Sequence, residues 1–126
     1  MRGSLLLALA LVAAVGCSKD KKGPSSKDGV IDAWKKGGLE PSAFTEAKTD
    51  IGKNCSAGTV NKVDVLLCAF GSEKEAKDAE EKGLQWVGDT TGASQAQGEM
   101  LIVAADRRKA DPSGRTINQL LTLPAK

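Results

Sequence analysis

Two cysteines lie symmetrically about a tight turn predicted at Asn61-Lys62. β-rich runs flank this dipeptide, and Asn tolerates the left-handed conformation that a two-residue hairpin turn needs, although Lys replaces the usual Gly at the second position. Continuing the register outward from the turn brings Cys55 opposite Cys68, at a non-hydrogen-bonded site where side chains come closest. The turn and the cysteine spacing therefore both predict a disulfide-linked β-hairpin.

The two thiols also have functional interpretations, which their pattern does not favour. A redox pair normally has Cys-x-x-Cys spacing, and a structural zinc ion needs four nitrogen or sulfur ligands. The chain has three Cys and no His, so we expect Cys55 and Cys68 to form a structural disulfide, worth about 3 kcal/mol through loop closure. The sequence gives no reason to expect a metal or another cofactor.

Helices and strands follow one another along the rest of the chain. Capping residues and apolar spacing predict three helices and a weaker fourth one that begins at Pro41. The apolar run 100–105 predicts a central strand, and residues 84–87 predict an edge strand before a loop or irregular hairpin at 88–98. The three stronger helices are expected to begin at the caps Asp28, Ser72 and Asp111, and the first two to end at Gly37-Gly38 and at Gly83.

This order of elements predicts a small α+β sandwich. We expect a three- to four-stranded antiparallel or mixed sheet, containing the disulfide-linked hairpin and covered on one face by helices. The strand–helix–strand segment 63–105 suits a right-handed crossover, so a ferredoxin-like arrangement stays open. The hairpin side chains expected on the core face are Val60, Val63, Val65 and Leu67.

The N-terminus has the pattern of an export signal. Arg2 is followed by 11 uncharged apolar residues, Leu5–Val15. A membrane-spanning helix needs about 20 such residues. A run of this length instead fits the apolar region of a secretory signal peptide.

The signal ends at Ala14-Val15-Gly16-Cys17, which resembles the lipobox of bacterial lipoproteins, with Ala14 where Leu is usual. The resemblance covers the first 17 residues. It implies that residues 1–16 are removed and that Cys17 is lipidated as the new N-terminus, anchoring the protein to a membrane. Ser18, rather than Asp, then favours the outer membrane, facing the periplasm or the surface. An ordinary secretory signal that leaves a free thiol is the alternative.

A tether separates this signal from the domain. Residues 18–27 contain no apolar residue but four Lys and one Asp, so we expect residues 17–27 to be a lipidated Cys followed by a flexible basic tether. Residues 28–126 form a single domain with 13 Lys/Arg against 15 Asp/Glu. That composition lacks the basic footprint of a nucleic-acid binder, so no nucleic-acid partner is expected.

Polar residues cluster where the central strand gives way to the last helix, at Asp106, Arg107, Arg108, Lys109 and Asp111. Helix N–H groups beside Arg107 and Arg108 suit an anion or a partner's charged group, with Asp111 in the same contact. The simpler interpretation is a solvated loop in which Asp111 caps the helix. A carboxylate mechanism would need Asp106 and Asp111 to converge.

The chain contains neither His nor Tyr and no other catalytic constellation, so we expect no enzymatic activity. The sequence predicts a lipid-anchored lipoprotein of the bacterial envelope, whose domain is a small binding or interaction module for another envelope protein. The alternatives are a small periplasmic enzyme that uses the carboxylates near Asp106 and Asp111, and a purely structural envelope component.

Overall fold

The computed structural model describes residues 26–125; the predicted signal peptide, Cys17 and the tether as far as residue 25 lie outside the described residues. A 3-10 turn, Leu123–Ala125, ends this region, in which no helix is long and apolar enough to cross a bilayer. The helices and strands are α1 (Lys27–Lys36), β1 (Thr45–Ala47), β2 (Asn54–Val60), β3 (Val63–Ala69), α2 (Glu73–Asp78), α3 (Glu80–Val87), β4 (Gly92–Gln97), β5 (Met100–Ala105) and α4 (Arg115–Thr122).

The strands form one antiparallel sheet in the order β1-β2-β3-β5-β4. The α+β class and the antiparallel sheet are confirmed, and the described sheet has five strands rather than three or four. β1 lies where a helix was predicted after Pro41, because this stretch pairs with the edge of β2. β4 lies within the segment 88–98, which was predicted as a loop or irregular hairpin, and it forms a hairpin with β5. In both places pairing with a neighbouring strand overrides weak local signals.

The hairpin of β2 and β3 is confirmed in detail. Asn61 and Lys62 form its turn with φ values of 51° and 73°, which is the conformation of a type I′ turn. Cys55 lies opposite Cys68. The four side chains predicted for the core face, Val60, Val63, Val65 and Leu67, all lie in one buried cluster.

The predicted crossover ends on a different strand. β3 and β5 are antiparallel neighbours, with Asp64 opposite Ala105, so no crossover joins these two strands. Instead, α2 and α3 connect β3 to β4, which runs parallel to β3 with β5 between them. The arrangement is a split βαβ unit.

Helices cover both faces of the sheet, whereas the sequence predicted one covered face. On the first face, α1 and α4 pack over the sheet, and the Trp34 indole N–H donates to the Leu120 carbonyl at 3.0 Å. The Trp34 side chain is fully buried and packs against Phe44. Because both faces are covered, every residue of β5 is buried, as expected for an uninterrupted apolar strand.

The second face is covered by α2 and α3. The helix predicted to end at Gly83 is instead two helices: α2 ends at Asp78, and α3 continues through Gly83 to Val87. Gly88, with φ of 67°, lies at the end of α3. Residues 84–87 are therefore helical and do not form the predicted edge strand.

Two helix starts show where capping rules succeed and where they miss. Ser72 caps α2 as predicted, since its hydroxyl accepts the Glu75 N–H at 3.1 Å. Ser26, rather than Asp28, caps α1, so this helix begins at Lys27, one residue before the predicted domain boundary. Asp28 lies in the first turn, where a negative charge still interacts favourably with the helix dipole.

Candidate functional site

The predicted disulfide joins β2 to β3 inside the second core, which is the buried apolar cluster on the sheet face covered by α2 and α3 and includes Leu66, Leu101 and Val103. The Cys55 and Cys68 Cα atoms are 4.0 Å apart, and the two residues are 1% and 0% exposed. The Thr49 hydroxyl donates to Cys55 Sγ at 3.5 Å. The bond is thus part of the packed interior, as a structural disulfide should be.

A polar cluster of Asp64, Arg107 and Arg108 lies at the end of the sheet beside the hairpin turn. Arg107 and Arg108 follow Asp106, the first residue after β5, and both bind the Asp64 carboxylate on the adjacent strand. Arg107 Nη1 lies 3.4 Å from Asp64 Oδ2, and Arg108 Nη1 lies 2.7 Å from Asp64 Oδ1. One half-buried carboxylate therefore serves two guanidinium groups.

Arg107 is further fixed by α3. Its Nη2 donates to the Trp86 carbonyl at 2.6 Å, and its guanidinium lies 4.3 Å from the centre of the Trp86 ring. The first contact satisfies a carbonyl at the C-terminal end of the helix, and the second is a cation–π interaction. Trp86 is half-buried against the second core, so Arg107 links that core to the polar cluster.

Arg108 is held at one edge only. Its Nη1 donates to the Lys62 carbonyl at 3.1 Å as well as to Asp64. Within residues 26–125, its Nε and Nη2 atoms have no acceptor, and the side chain is 52% exposed. The edge formed by Nε and Nη2 is therefore free to form two parallel hydrogen bonds with a carboxylate or a phosphate.

Asp111 does not join the two arginines. The residue is 5% exposed, and its carboxylate accepts the Thr116 and Ile117 N–H groups of α4 at 3.1 and 2.9 Å. The anion hypothesis required free N–H groups at this helix start, and the chain's own carboxylate uses two of them. α4 begins at Arg115 rather than directly after Asp111, because Gly114 takes a left-handed conformation first.

Asp106 has the same kind of role in the preceding turn. Its two carboxylate oxygens accept the Ala110 and Asp111 N–H groups at 2.8 and 2.9 Å, and the residue is 6% exposed. Every carboxylate oxygen of Asp106 and Asp111 thus accepts a backbone N–H. The two acids are adjacent, and their geometry is that of turn and helix stabilisation.

The sequence identified both arginines but missed their shared partner, Asp64. A charged residue within an otherwise apolar strand was the available signal, because Asp is depleted in strands. The signal could not name Arg107 or Arg108, since their meeting depends on the pairing of β3 with β5.

Five surface depressions of about 280–460 Å³ are lined by other residues. Across residues 26–125, no group of three or more His, Cys, Asp or Glu side chains could hold a metal ion. Comparison of the chain with protein-family models, curated proteins and solved structures finds no significant match.

Proposed function

We propose that the protein is a lipid-anchored lipoprotein of the bacterial envelope, whose folded domain is a small interaction module. The observation that carries this proposal is the buried disulfide between Cys55 and Cys68. Structural disulfides form and persist in oxidising compartments such as the periplasm. The signal-like sequence that ends at Cys17 is the feature that would take the chain there.

The state of the two buried acids favours binding over catalysis. A general acid or base must exchange its proton with a reacting group. The Asp106 and Asp111 oxygens instead accept backbone N–H groups. The exposed guanidinium edge of Arg108 is a recognition group, which suits an interaction with another envelope protein.

The lipid anchor is tested by metabolic labelling with an alkyne analogue of palmitate in a bacterial host. The wild-type chain should be labelled and should sediment with membranes, whereas Cys17→Ser should lose both properties. The Cys55→Ala/Cys68→Ala variant is the matched control, because it removes thiols and keeps Cys17. Equal labelling of wild type and Cys17→Ser would refute the anchor.

Outer-membrane placement is the finer part of the proposal, and it follows from Ser18 after the lipidated Cys17. Density-gradient separation of the two membranes tests it in the native host. The wild-type chain should co-migrate with outer-membrane markers. Replacement of Ser18 by Asp should move it to the inner-membrane fraction if the host uses this sorting signal, and a wild-type chain found only with inner-membrane markers would contradict the placement.

A further inference from the structure

A carboxylate from the helix above β4 is bound to the open edge of this strand. Glu80, the first residue of α3, accepts the Ala96 N–H through Oε2 at 2.8 Å. We propose that this contact blocks the edge, so that β4 does not pair with β4 of a second copy of the chain. The inference goes beyond the proposed function and does not depend on the lipid anchor or on Arg108.

The backbone groups at this edge follow from the pairing of β4 with β5. β4 is the last strand of the sheet, and a two-residue turn joins it to β5. The pair next to such a turn is hydrogen-bonded, and bonded and non-bonded pairs then alternate along the strands. Gly92, Ser94 and Ala96 consequently direct their N–H and C=O groups away from β5. Of these groups, the Ala96 N–H is the one that has a partner within residues 26–125.

The composition of β4 makes its edge suitable for pairing with itself. All six residues, Gly92–Gln97, are uncharged, so two copies of the edge meet without like-charge repulsion. The other edge of the sheet differs, because β1 has three residues, which include the exposed Glu46, and the exposed Lys48 follows it. Short, charged edges resist strand addition, whereas longer uncharged edges are templates for it. The β4 edge therefore needs another form of protection.

Glu80 provides this protection in two ways. Its Oε2 atom lies 2.8 Å beyond the Ala96 nitrogen, and neighbouring strands are about 4.8 Å apart, so the carboxylate lies in the path of an added strand. It also occupies the Ala96 N–H with a charge-assisted hydrogen bond, which is stronger than the bond to a carbonyl that would replace it. Because a symmetric dimer would contain this site twice, pairing must displace two carboxylates.

Leu84 lies on the same flank of α3 as Glu80. It is 53% exposed, and it is the large apolar side chain that residues 26–125 leave exposed. Residues four apart share a helix flank, and Trp86, two residues further on, packs against the second core. Leu84 therefore faces the β4 edge. Its burial would favour the paired state in a chain that lacks the blocking contact.

One register satisfies both the strand and the helix. A two-fold axis at Ser94 pairs this residue with its own copy and Gly92 with Ala96, which uses all the outward-facing groups of β4. Gly83 lies directly against Ser94, so the axis passes beside this turn of α3. The adjacent Leu84 then contacts Leu84 of the second copy. Without the blocking carboxylate, pairing would gain backbone hydrogen bonds and buried apolar surface together.

Sedimentation equilibrium of the purified full chain in density-matched detergent tests the proposal. Glu80→Ala should raise the association constant for dimerisation about a hundredfold, because two charge-assisted hydrogen bonds no longer oppose pairing. Glu81→Ala is the matched control, since Glu81 is exposed and carries the same charge in the first turn of α3, and it should behave as wild type. Equal association constants for wild type and Glu80→Ala, or equal increases in the two variants, would overturn the proposal.

Two more variants distinguish an ordered dimer from aggregation. The amide oxygen in Glu80→Gln still accepts the Ala96 N–H but carries no charge, so its association constant should lie between those of wild type and Glu80→Ala. Glu80→Ala/Leu84→Lys should associate about tenfold less strongly than Glu80→Ala, because an apolar contact at the axis is replaced by two like charges. An association that Leu84→Lys leaves unchanged, or large oligomers with altered near-ultraviolet circular dichroism, would contradict the β4 dimer.

Hydrogen exchange of the Ala96 amide gives an independent measurement at a concentration where the chain is monomeric. Exchange should be faster in Glu80→Ala than in wild type or Glu81→Ala, and equal rates would show that the blocking contact does not form. All these variants share one N-terminus, so effects of lipid and detergent cancel in the comparison. Failure of the lipid-anchor proposal would leave these results unchanged, and failure of this proposal would leave the labelling of Cys17 unchanged.

Discussion

Gly83 of α3 lies directly against Ser94 of β4. A Cβ atom on Gly83 would overlap the Ser94 hydroxyl and would lie 2.9 Å from both Ser94 Cβ and Val103 Cγ2. Glycine costs about 1 kcal/mol relative to alanine within a helix. Glycine is nevertheless required at this position, because α3 and β4 approach too closely to leave room for a side chain.

Gly83→Ala should therefore lower the free energy of unfolding by about 1–3 kcal/mol, the usual cost of overpacking, even though alanine is the better helix former. Urea denaturation followed by tryptophan fluorescence measures this change. Gly71→Ala is the control, since its Cβ would meet only Glu75 Oε1, at 3.4 Å, and its stability should stay near that of wild type. A Gly83→Ala variant as stable as wild type would contradict the close packing of α3 on β4.

The contrast between the hairpin and the segment 79–97 shows which parts of the fold are readable from sequence. The hairpin depends on local information: a turn at Asn61-Lys62 and two equidistant cysteines. The helix through Gly83 and the strand at 92–97 depend on their contact with each other, which no local pattern contains. Gly83 consequently resembles a helix end, and the polar strand resembles a loop.

The candidate site likewise has a part that was predictable from the sequence and a part that was not. Arg107, Arg108 and Asp111 were identified because charged residues follow an apolar strand and precede a helix. Their separation into an arginine pair on Asp64 and a helix cap was not predictable. It depends on strand pairing and on the left-handed residue Gly114, which moves the helix start three residues beyond the expected one.

Replacement of Asp111 should weaken the start of α4. Asp111→Ala leaves the Thr116 and Ile117 N–H groups without their acceptor, and loss of such a cap costs about 0.5–2 kcal/mol. The exposed Asp89 provides a control, because Asp89→Ala removes the same charge from the surface. Hydrogen exchange should be faster at Thr116 and Ile117 in Asp111→Ala alone. Unchanged protection of these two amides would show that Asp111 is not the cap.

A surface pair on α2 has a defined pH response. The hydrogen bond that the Lys74 ammonium donates to the Asp78 carboxylate, and then the negative charge of Asp78, raise the pKa of Lys74 above its ordinary value of 10.5. A raised pKa means that the contribution of the pair to stability is complete below pH 10.5 and is lost as the pH rises through the folded-state pKa. NMR titration of the Lys74 ¹³Cε resonance should show a midpoint above 10.5 in wild type and a lower one in Asp78→Asn. Identical midpoints would mean that the pair does not form in solution.

The largest stability change is expected at the disulfide. Cys55→Ala/Cys68→Ala should lower the free energy of unfolding by about 3 kcal/mol, because the unfolded chain is no longer constrained by a closed loop. Alanine is preferred to serine here, since both positions lie in the core and a serine hydroxyl would be buried without a hydrogen-bond partner.

Urea unfolding of wild type with and without dithiothreitol gives an independent comparison. The reduced wild type should unfold at a midpoint close to that of the double variant, and the oxidised wild type at a higher one. If dithiothreitol left the wild-type midpoint unchanged while mass spectrometry showed two free thiols, the disulfide would contribute nothing to stability. The backbone hydrogen bonds between β2 and β3 and the packing of their side chains would then hold the hairpin without it.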